Sequence, residues 1–468
     1  MISKIVASVV SALLAPVAFA AERAMTGWVV PDGAIQIDAR DTDWQQIGAP
    51  DARAGFLTVT ANWLVIDAER GTYHGDADLS FVARVASDAS SLYILADVTD
   101  DFSVHTWNEQ EPYYGDDFEV FIQADEPADR NKSQTANCKQ WIFVPGMINP
   151  NWPEPIVWQA NQNPGVKVAS RLRPFGYTIE IRIPKSLLPN WKNNPDMPTI
   201  GFDLMTQDAD APGIDAHHPA LKGAMFLQQV GQHFKSPEML RGLKFERWDG
   251  AIALMDLPPA PDVDATRIAI TTIASREQAD RTAQDILDLA RDARIGTLLS
   301  AALESPWQAV QRAALVILAG RADLPMPTTV VAELLEPRAR DAAPQQFSPP
   351  WLLEQSIKQY AMLALARRGE LTFTAFDEAM FTDDPQLRLT AIYCAGINGK
   401  QAFTIKLLPM LKDKNMRIRM LTALSLGELK DPAALPALRE IEQSDPSGDP
   451  RLQAKLSIEK IASAGMGR

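Results

Sequence analysis

Leu92-Tyr93-Ile94-Leu95-Ala96-Asp97-Val98-Thr99-Asp100-Asp101 alternates apolar and polar side chains and then empties into two adjacent carboxylates. That period of two is the mark of a half-buried strand, and the acidic pair marks the loop that ends it. Working outward, the same pattern recurs in Phe56–Val65, Leu79–Val85, Phe118–Ile122, Gln140–Val144, Tyr177–Ile183 and Thr199–Met205, each bounded by Asp, Gly, Asn or Pro. Many short alternating runs between turn residues predict antiparallel strands in a sandwich or barrel.

The chain has 468 residues and a net charge of −14, with 46% apolar residues, which is material for more than one core. Its two halves differ in kind. Nine of the eleven tryptophans and all five histidines precede residue 250. The stretch 250–264 contains Leu257-Pro258-Pro259-Ala260-Pro261, which continues neither helix nor central strand and predicts a linker. From 265 to 468 the apolar period becomes helical. Arg312-Ala-Ala-Leu-Val-Ile-Leu-Ala-Gly320, Arg388-Leu-Thr-Ala-Ile-Tyr-Cys-Ala-Gly396 and Arg419-Met-Leu-Thr-Ala-Leu-Ser-Leu-Gly427 repeat one motif, and Ala361–Gly369 is a copy without the arginine. Arg388 and Arg419 lie 31 residues apart, a period that predicts an α-solenoid of stacked helix pairs. Ser305-Pro306, Asp384-Pro385, Asp431-Pro432 and Asp449-Pro450 are expected to start helices, and the motif glycines to end them in the left-handed conformation. Between 321 and 380 the spacing stretches, and Phe347-Ser-Pro-Pro350 is expected to interrupt the array.

Met1–Ala20 has one early lysine, an apolar run Ile5–Leu14 and Ala18-Phe19-Ala20, the pattern of a leader cut after Ala20. The expectation is a periplasmic or secreted protein, residues 21–249 forming the sandwich domain. The acidic balance and the lack of a basic run argue against nucleic acid. Cys138 and Cys394 fall in different domains and are expected to be free thiols. His217-His218 lacks the flanking ligands that zinc requires, and Met205, Met225 and His233 lack any haem-binding mark.

Four segments occur in a definite order: Leu92–Asp101, Gly115-Asp-Asp-Phe-Glu-Val-Phe-Ile-Gln123, Gly176-Tyr-Thr-Ile-Glu-Ile-Arg-Ile-Pro184, and Ile200-Gly-Phe-Asp-Leu-Met-Thr-Gln-Asp-Ala-Asp210. With Ile35–Trp44 ahead of them, they make residues 30–246 resemble a family 9 carbohydrate-binding module of the DOMON-like sandwich group. The helical motifs resemble short bacterial HEAT repeats over roughly 300–465. The first resemblance implies sugar binding, often at xylan or cellulose chain ends, with structural calcium in some members. In that family two tryptophans grip the sugar, and one lies just before the Asp-x-x-Glu strand, where this sequence has Tyr113. The second is expected after Asp210, but Ala211–Phe245 contains no tryptophan, only Phe226, Phe234 and Phe245 among the large apolar rings.

Aromatic rings stack on the C–H faces of sugars, and carboxylates bind the hydroxyl rim. The candidate ligand contacts are therefore Tyr113, Tyr114, Trp107, Trp152, Trp158 and Asp116, with Trp141 a further ring and Trp44 a core residue. Asp100, Asp101, Asp208 and Asp210 offer hard oxygens for calcium. An EF-hand from Asp208 fails because Pro212 and Pro219 occupy its fifth and twelfth positions. Asp117 with Glu119, or Glu180 with Asp203, are the only carboxylate pairs that suggest glycoside hydrolysis, and a sandwich offers them no deep cleft. The expected function is an exported, non-catalytic saccharide-binding protein whose repeats hold a protein partner. The alternatives are a scaffold that has lost sugar binding and an accessory hydrolase of polysaccharide degradation.

Overall fold

The computed structural model describes residues 25–45, 47, 57–59, 64–67, 75–105, 115–125, 135–147, 154–193, 199–209, 212, 223–226, 240, 242–247, 259–336, 344–346, 348–382 and 384–466. The leader Met1–Ala20 lies outside these residues.

The alternating runs fold as strands, except that Phe56–Val65 contains parts of two strands with different partners, Leu57–Val59 and Leu64–Asp67. In chain order they are β1 (Met25–Val29), β2 (Leu57–Val59), β3 (Leu64–Asp67), β4 (Leu79–Ser87), β5 (Ser91–Asp100), β6 (Asp117–Gln123), β7 (Cys138–Val144), β8 (Ile156–Val157), β9 (Lys167–Leu172), β10 (Tyr177–Pro184), β11 (Thr199–Asp208), β12 (Gly223–Phe226) and β13 (Gly242–Arg247). Hydrogen bonding runs β8-β7-β6-β11-β13-β1-β4-β5-β10-β9, with β12 joining β11 to β3 and β2 beside β4. The β7-β6-β11 layer faces the β4-β5-β10-β9 layer. Phe118, Val120, Ile122, Phe202 and Leu204 meet Phe81, Val85, Ile94, Ile179 and Ile181 between them. Each such side chain contributes about 1.5–3 kcal/mol through burial. The pairing is antiparallel except at β1, which runs parallel to both β13 and β4 and joins the two layers. Part of each outer face is covered as well. Val30, Ile35, Trp44 and Ile47 lie over Ala86, Tyr93 and Leu95, so Tyr93 and Leu95 are buried although they point away from the main core.

A short helix α1 (Pro189–Asn193) closes one end of the sandwich with Trp191. The helical half contains α2 (Val263–Thr272), α3 (Arg276–Asp288), α4 (Gly296–Leu303), α5 (Gln308–Gly320), α6 (Thr328–Glu333), α7 (Pro349–Ala366), α8 (Phe373–Met380), α9 (Pro385–Ile397), α10 (Thr404–Leu407), α11 (Met416–Leu429), α12 (Leu435–Ser444) and α13 (Gly448–Met466). The longer helices α3, α5, α7, α9, α11 and α13 stack in sequence as one row.

Several helix boundaries differ from expectation. Asp384-Pro385 starts α9 as expected, its carboxylate accepting from the Gln386 amide. Asp431-Pro432 opens a short 3-10 turn that leads into α12. Asp449-Pro450 lies inside the first turn of α13, and Ser305-Pro306 precedes α5 without capping it, because Trp307 stands at that position. Ser348-Pro349-Pro350 does not interrupt the array; the two prolines open α7, the positions where a missing N–H costs nothing.

The motif glycines also play another part. Gly369 does take the left-handed conformation, φ +67°. Gly396 and Gly427 instead lie within α9 and α11. A Cβ on Gly396 would sit 2.7 Å from the Ser425 Cα, and one on Gly427 would sit 2.6 Å from the Ser457 Oγ. They are close-approach points between successive long helices, not helix ends.

Candidate functional site

The end of the sandwich where β5 and β11 finish and β6 begins carries the expected acidic residues, and all that are described are buried. Strand alternation sends Asp117 and Glu119 to the outer face of β6, opposite Gln207 and Met205 of β11. The Gln207 amide ties the two carboxylates together, donating to Asp117 Oδ2 at 2.8 Å and Glu119 Oε1 at 2.7 Å, while Gln140 donates to Glu119 Oε2. Asp116 staples two loops: one oxygen accepts from the Val104 amide and the other from the Ala209 amide at 2.6 Å. Asp100 Oδ1 accepts from the Phe102 amide at 2.8 Å. Burial pushes the Asp100 carboxyl up to about 6, against its hydrogen bonds and the nearby charge of Arg312. Among the described residues, no three His, Cys, Asp or Glu side chains converge as a metal cage. Asp100, Asp101 and Asp208 stand at this end of the sandwich, and Asp210 lies outside the described residues.

The helical array closes over this end. Loop residues Phe102 and Val104 are buried in the same apolar cluster as α5 and α7. The Phe102 ring packs at 4.7 Å from Tyr360 of α7, whose hydroxyl donates to the Ser103 carbonyl at 2.8 Å. Arg312, the first motif arginine, is 1% exposed. It donates to the Asp101 carbonyl at 2.8 Å, the Pro174 carbonyl and Ser356 Oγ at 2.7 Å, and lies 5.2 Å from the Phe175 and Tyr360 rings. The later motif arginines serve the array itself: Arg388 faces Asp413 at 3.6 Å, and Arg419 forks onto Asp445 at 2.7 and 2.9 Å. A second clamp lies alongside, where Arg171 of β9 forks onto Asp288 of α3 and Gln284 donates to the Leu172 carbonyl at 2.9 Å. The sequence motif marks Arg312 as a repeat residue; nothing local distinguishes its partner.

Tyr113, Tyr114, Trp107 and Trp152 lie outside the described residues. The stem of the first three does not: His105 and Gly115 touch so closely that a Cβ on Gly115 would lie 2.4 Å from the His105 ring. Trp158 is half-buried after β8, its amide bonded to the Ile142 carbonyl. Trp141 is 1% exposed in the sandwich core and offers no ring to a ligand. Trp44 is buried as expected, and its indole N–H donates to Glu180 Oε1 at 2.7 Å. The Asp38 and Ala39 amides donate to the other oxygen of Glu180, so this residue anchors the N-terminal segment. Glu180 and Asp203 point outward from opposite layers and cannot serve one reaction centre. Cys138 and Cys394 form no disulfide, as expected.

With this geometry in place, comparison with known proteins is informative. Residues 57–223 match the family model described as carbohydrate family 9 binding domain-like. The match spans β2 through β11 and the acidic loops, so the family-9-like domain includes the stem that holds Tyr113. Residues 374–459 match HEAT repeats, which places α9 to α12 within the matched array. The solved family 9 carbohydrate binding module of Caldicellulosiruptor kristjanssonii in complex with cellotriose is 19% identical, covering 49% of this chain and 99% of that one with a TM-score of 0.32. Its complex with glucose gives 19% identity, 48% and 98% coverage and a TM-score of 0.31. A lipovitellin structure shares 10% identity over 83% of this chain and 39% of that one, with a TM-score of 0.26. No curated protein sequence matches the chain. No helix among the described residues is long and apolar enough to cross a membrane.

Proposed function

We propose that this protein is an exported, non-catalytic saccharide-binding protein. The observation that carries the reading is the family-9-like match over residues 57–223, within which the sequence between His105 and Gly115 holds three aromatic residues, Trp107, Tyr113 and Tyr114. The sugar would meet Tyr113, Tyr114 and Trp107, stacking its C–H face on the rings, and the aromatic set alone would supply most of the affinity. Export follows from the Met1–Ala20 leader pattern. The described carboxylates favour no hydrolytic role, because Asp117 and Glu119 are locked by the two glutamines. Calcium would be an accessory ligand of the acidic loops. The long helices beyond α7 would remain open to a protein partner, since the sandwich takes α3, α5 and α7.

The test is affinity electrophoresis and titration calorimetry of the full chain with xylan, cellulose fragments and glucose, with and without calcium. Binding that falls at least tenfold in Tyr113→Ala is expected. No binding to any of these sugars in either condition would sink the reading in favour of a scaffold.

A further inference from the structure

A separate groove of about 720 Å3 lies under residues 32–37, along the outer face of the β5-β10-β9 layer and around the β9 edge to Val157, Val166 and Val168. It falls within the range of about 300–1,000 Å3 that small-molecule sites occupy. Its floor is one row across three strands: Tyr93 of β5 pairs with Arg182 of β10, and Arg182 pairs with Lys167 of β9. Two cations directly opposite each other on one face repel and destabilise a sheet. The groove lining also carries two carboxylates, Asp32 and Asp88, but among the described residues neither forms an ion pair with Arg182 or Lys167. The recorded bond of Arg182 is from Nε to Ser91 Oγ at 3.0 Å, and neither cation has a carboxylate partner among the described residues.

The nearest buried acid is already committed. Asp88 accepts from the Ser90 and Ser91 amides at 2.7 Å, from Ser90 Oγ at 3.0 Å and from the Tyr93 hydroxyl at 2.6 Å. Lys185, a third cation, donates to the Asp88 carbonyl at 2.6 Å. Asp32 at the rim accepts from the Ala89 amide. Val168 and Ile37 provide apolar wall, and Gln36 contributes an exposed amide.

We propose that this groove binds the carboxylate of a uronate-bearing oligosaccharide, with Arg182 forking onto the carboxylate and Lys167 as the second cation. Arg presents a planar pair of donors that suits a carboxylate, and Lys adds a point charge. The anion removes the repulsion that the empty pairing carries. The sugar body rests on the reading of the sandwich given above, whereas the choice of an anion rests on the groove alone.

The test is calorimetric titration of the full chain with trigalacturonate and with its neutral, carboxyl-reduced counterpart. Tighter binding of the acid by at least tenfold is expected. Arg182→Gln should weaken it by about 10–100-fold, the loss of charge-assisted hydrogen bonds. Lys167→Gln, exposed on the β9 strand and safe for folding, should weaken it about threefold and flatten its salt dependence. Tyr113→Ala should leave uronate binding unchanged while weakening neutral-sugar binding at least tenfold, which separates this site from that of Tyr113. Equal affinity for acid and neutral trimer, preference for a sulfated trimer, or unchanged affinity in Lys167→Gln would each overturn the proposal.

Discussion

Replacing Arg312 tests whether the two halves form one folding unit. The guanidinium makes charge-assisted hydrogen bonds to the Asp101 and Pro174 carbonyls, each worth about 1.5–3 kcal/mol. It also lies 5.2 Å from two aromatic rings, each contact adding about 0.5–2 kcal/mol. Against this stands the cost of keeping the charge 1% exposed, several kcal/mol for a buried ion. Asp101 O would still receive Ser356 Oγ at 2.6 Å after truncation, but the Pro174 carbonyl would lose its recorded donor. Arg312→Ala should therefore cost about 3 kcal/mol net, and Arg312→Met, which fills the volume without a charge, about half of that. Urea unfolding followed by tryptophan fluorescence and by helical circular dichroism reads both parts, because nine of eleven tryptophans precede residue 250. Coincident transitions in the parent should separate in Arg312→Ala, with the sandwich unfolding apart from the helices. Arg388→Ala is the control: its partner is 3.6 Å away and its side chain 32% exposed, so it should cost under about 1 kcal/mol. Transitions that stay coincident in Arg312→Ala, with a shift no larger than the control's, would refute the interface.

Other substitutions probe the repeats and the N-terminal segment. Gly396→Ala would raise helix propensity by about 1 kcal/mol, yet its Cβ meets the Ser425 backbone at 2.7 Å, so a net loss of about 1–3 kcal/mol is expected in thermal unfolding; a gain would show that the helices do not approach so closely. Asp445→Asn should cost about 2 kcal/mol by breaking the Arg419 fork, and a denaturant midpoint equal to the parent's would contradict that role. Burial pushes the Glu180 carboxyl up to about 8 from its ordinary 4.5, its three N–H donors opposing. The native state then holds a proton there that the unfolded chain has released, so stability is full below pH 4.5 and falls as pH rises through about 8. Glu180→Gln should flatten that part of the pH–stability curve; an unchanged slope would remove Glu180 as its source.

The strand pattern was legible where alternation is strong. Tyr177–Ile183 reads directly as β10, and the residue ahead of it, Gly176, has to be glycine because its φ is +81° and any Cβ there would meet the Val98 carbonyl at 2.2 Å. Lys167–Leu172 escapes the same reading because its edge position leaves most of its side chains half exposed, which blurs the alternation. The motif glycines were legible as a repeat but not as contacts. A glycine near a helix end fits a left-handed cap and a close crossing equally well, and Ser425 and Ser457, which decide between them, belong to the next repeat. The acidic cluster shows the same limit. Asp100 and Asp116 read as residues open to a ligand, yet they are buried at the end of the sandwich where Phe102 and Val104 pack against the helices. That covering depends on Arg312, Ser356 and Tyr360, more than 200 residues away, so no local pattern announces it.

The covered end has a consequence for ligand binding. In sequence, Trp107, Tyr113 and Tyr114 follow closely on Ser103, whose carbonyl receives Tyr360, and Val104, whose amide bonds Asp116. A sugar bound by these aromatic residues would bear on Ser103 and Val104, against which α5 and α7 pack. Linkage then requires that ligand binding and domain docking strengthen each other by one shared factor. In Arg312→Ala the loosened packing should lower neutral-sugar affinity, and saturating sugar should recover part of the lost stability, by the relation between stabilisation and ligand concentration. The uronate groove, built on Tyr93, Arg182 and Lys167 away from Ser103 and Val104, should be indifferent to the same substitution. Neutral-sugar affinity that is identical in parent and Arg312→Ala would show that the helical array covers the acidic end without acting on the sugar site.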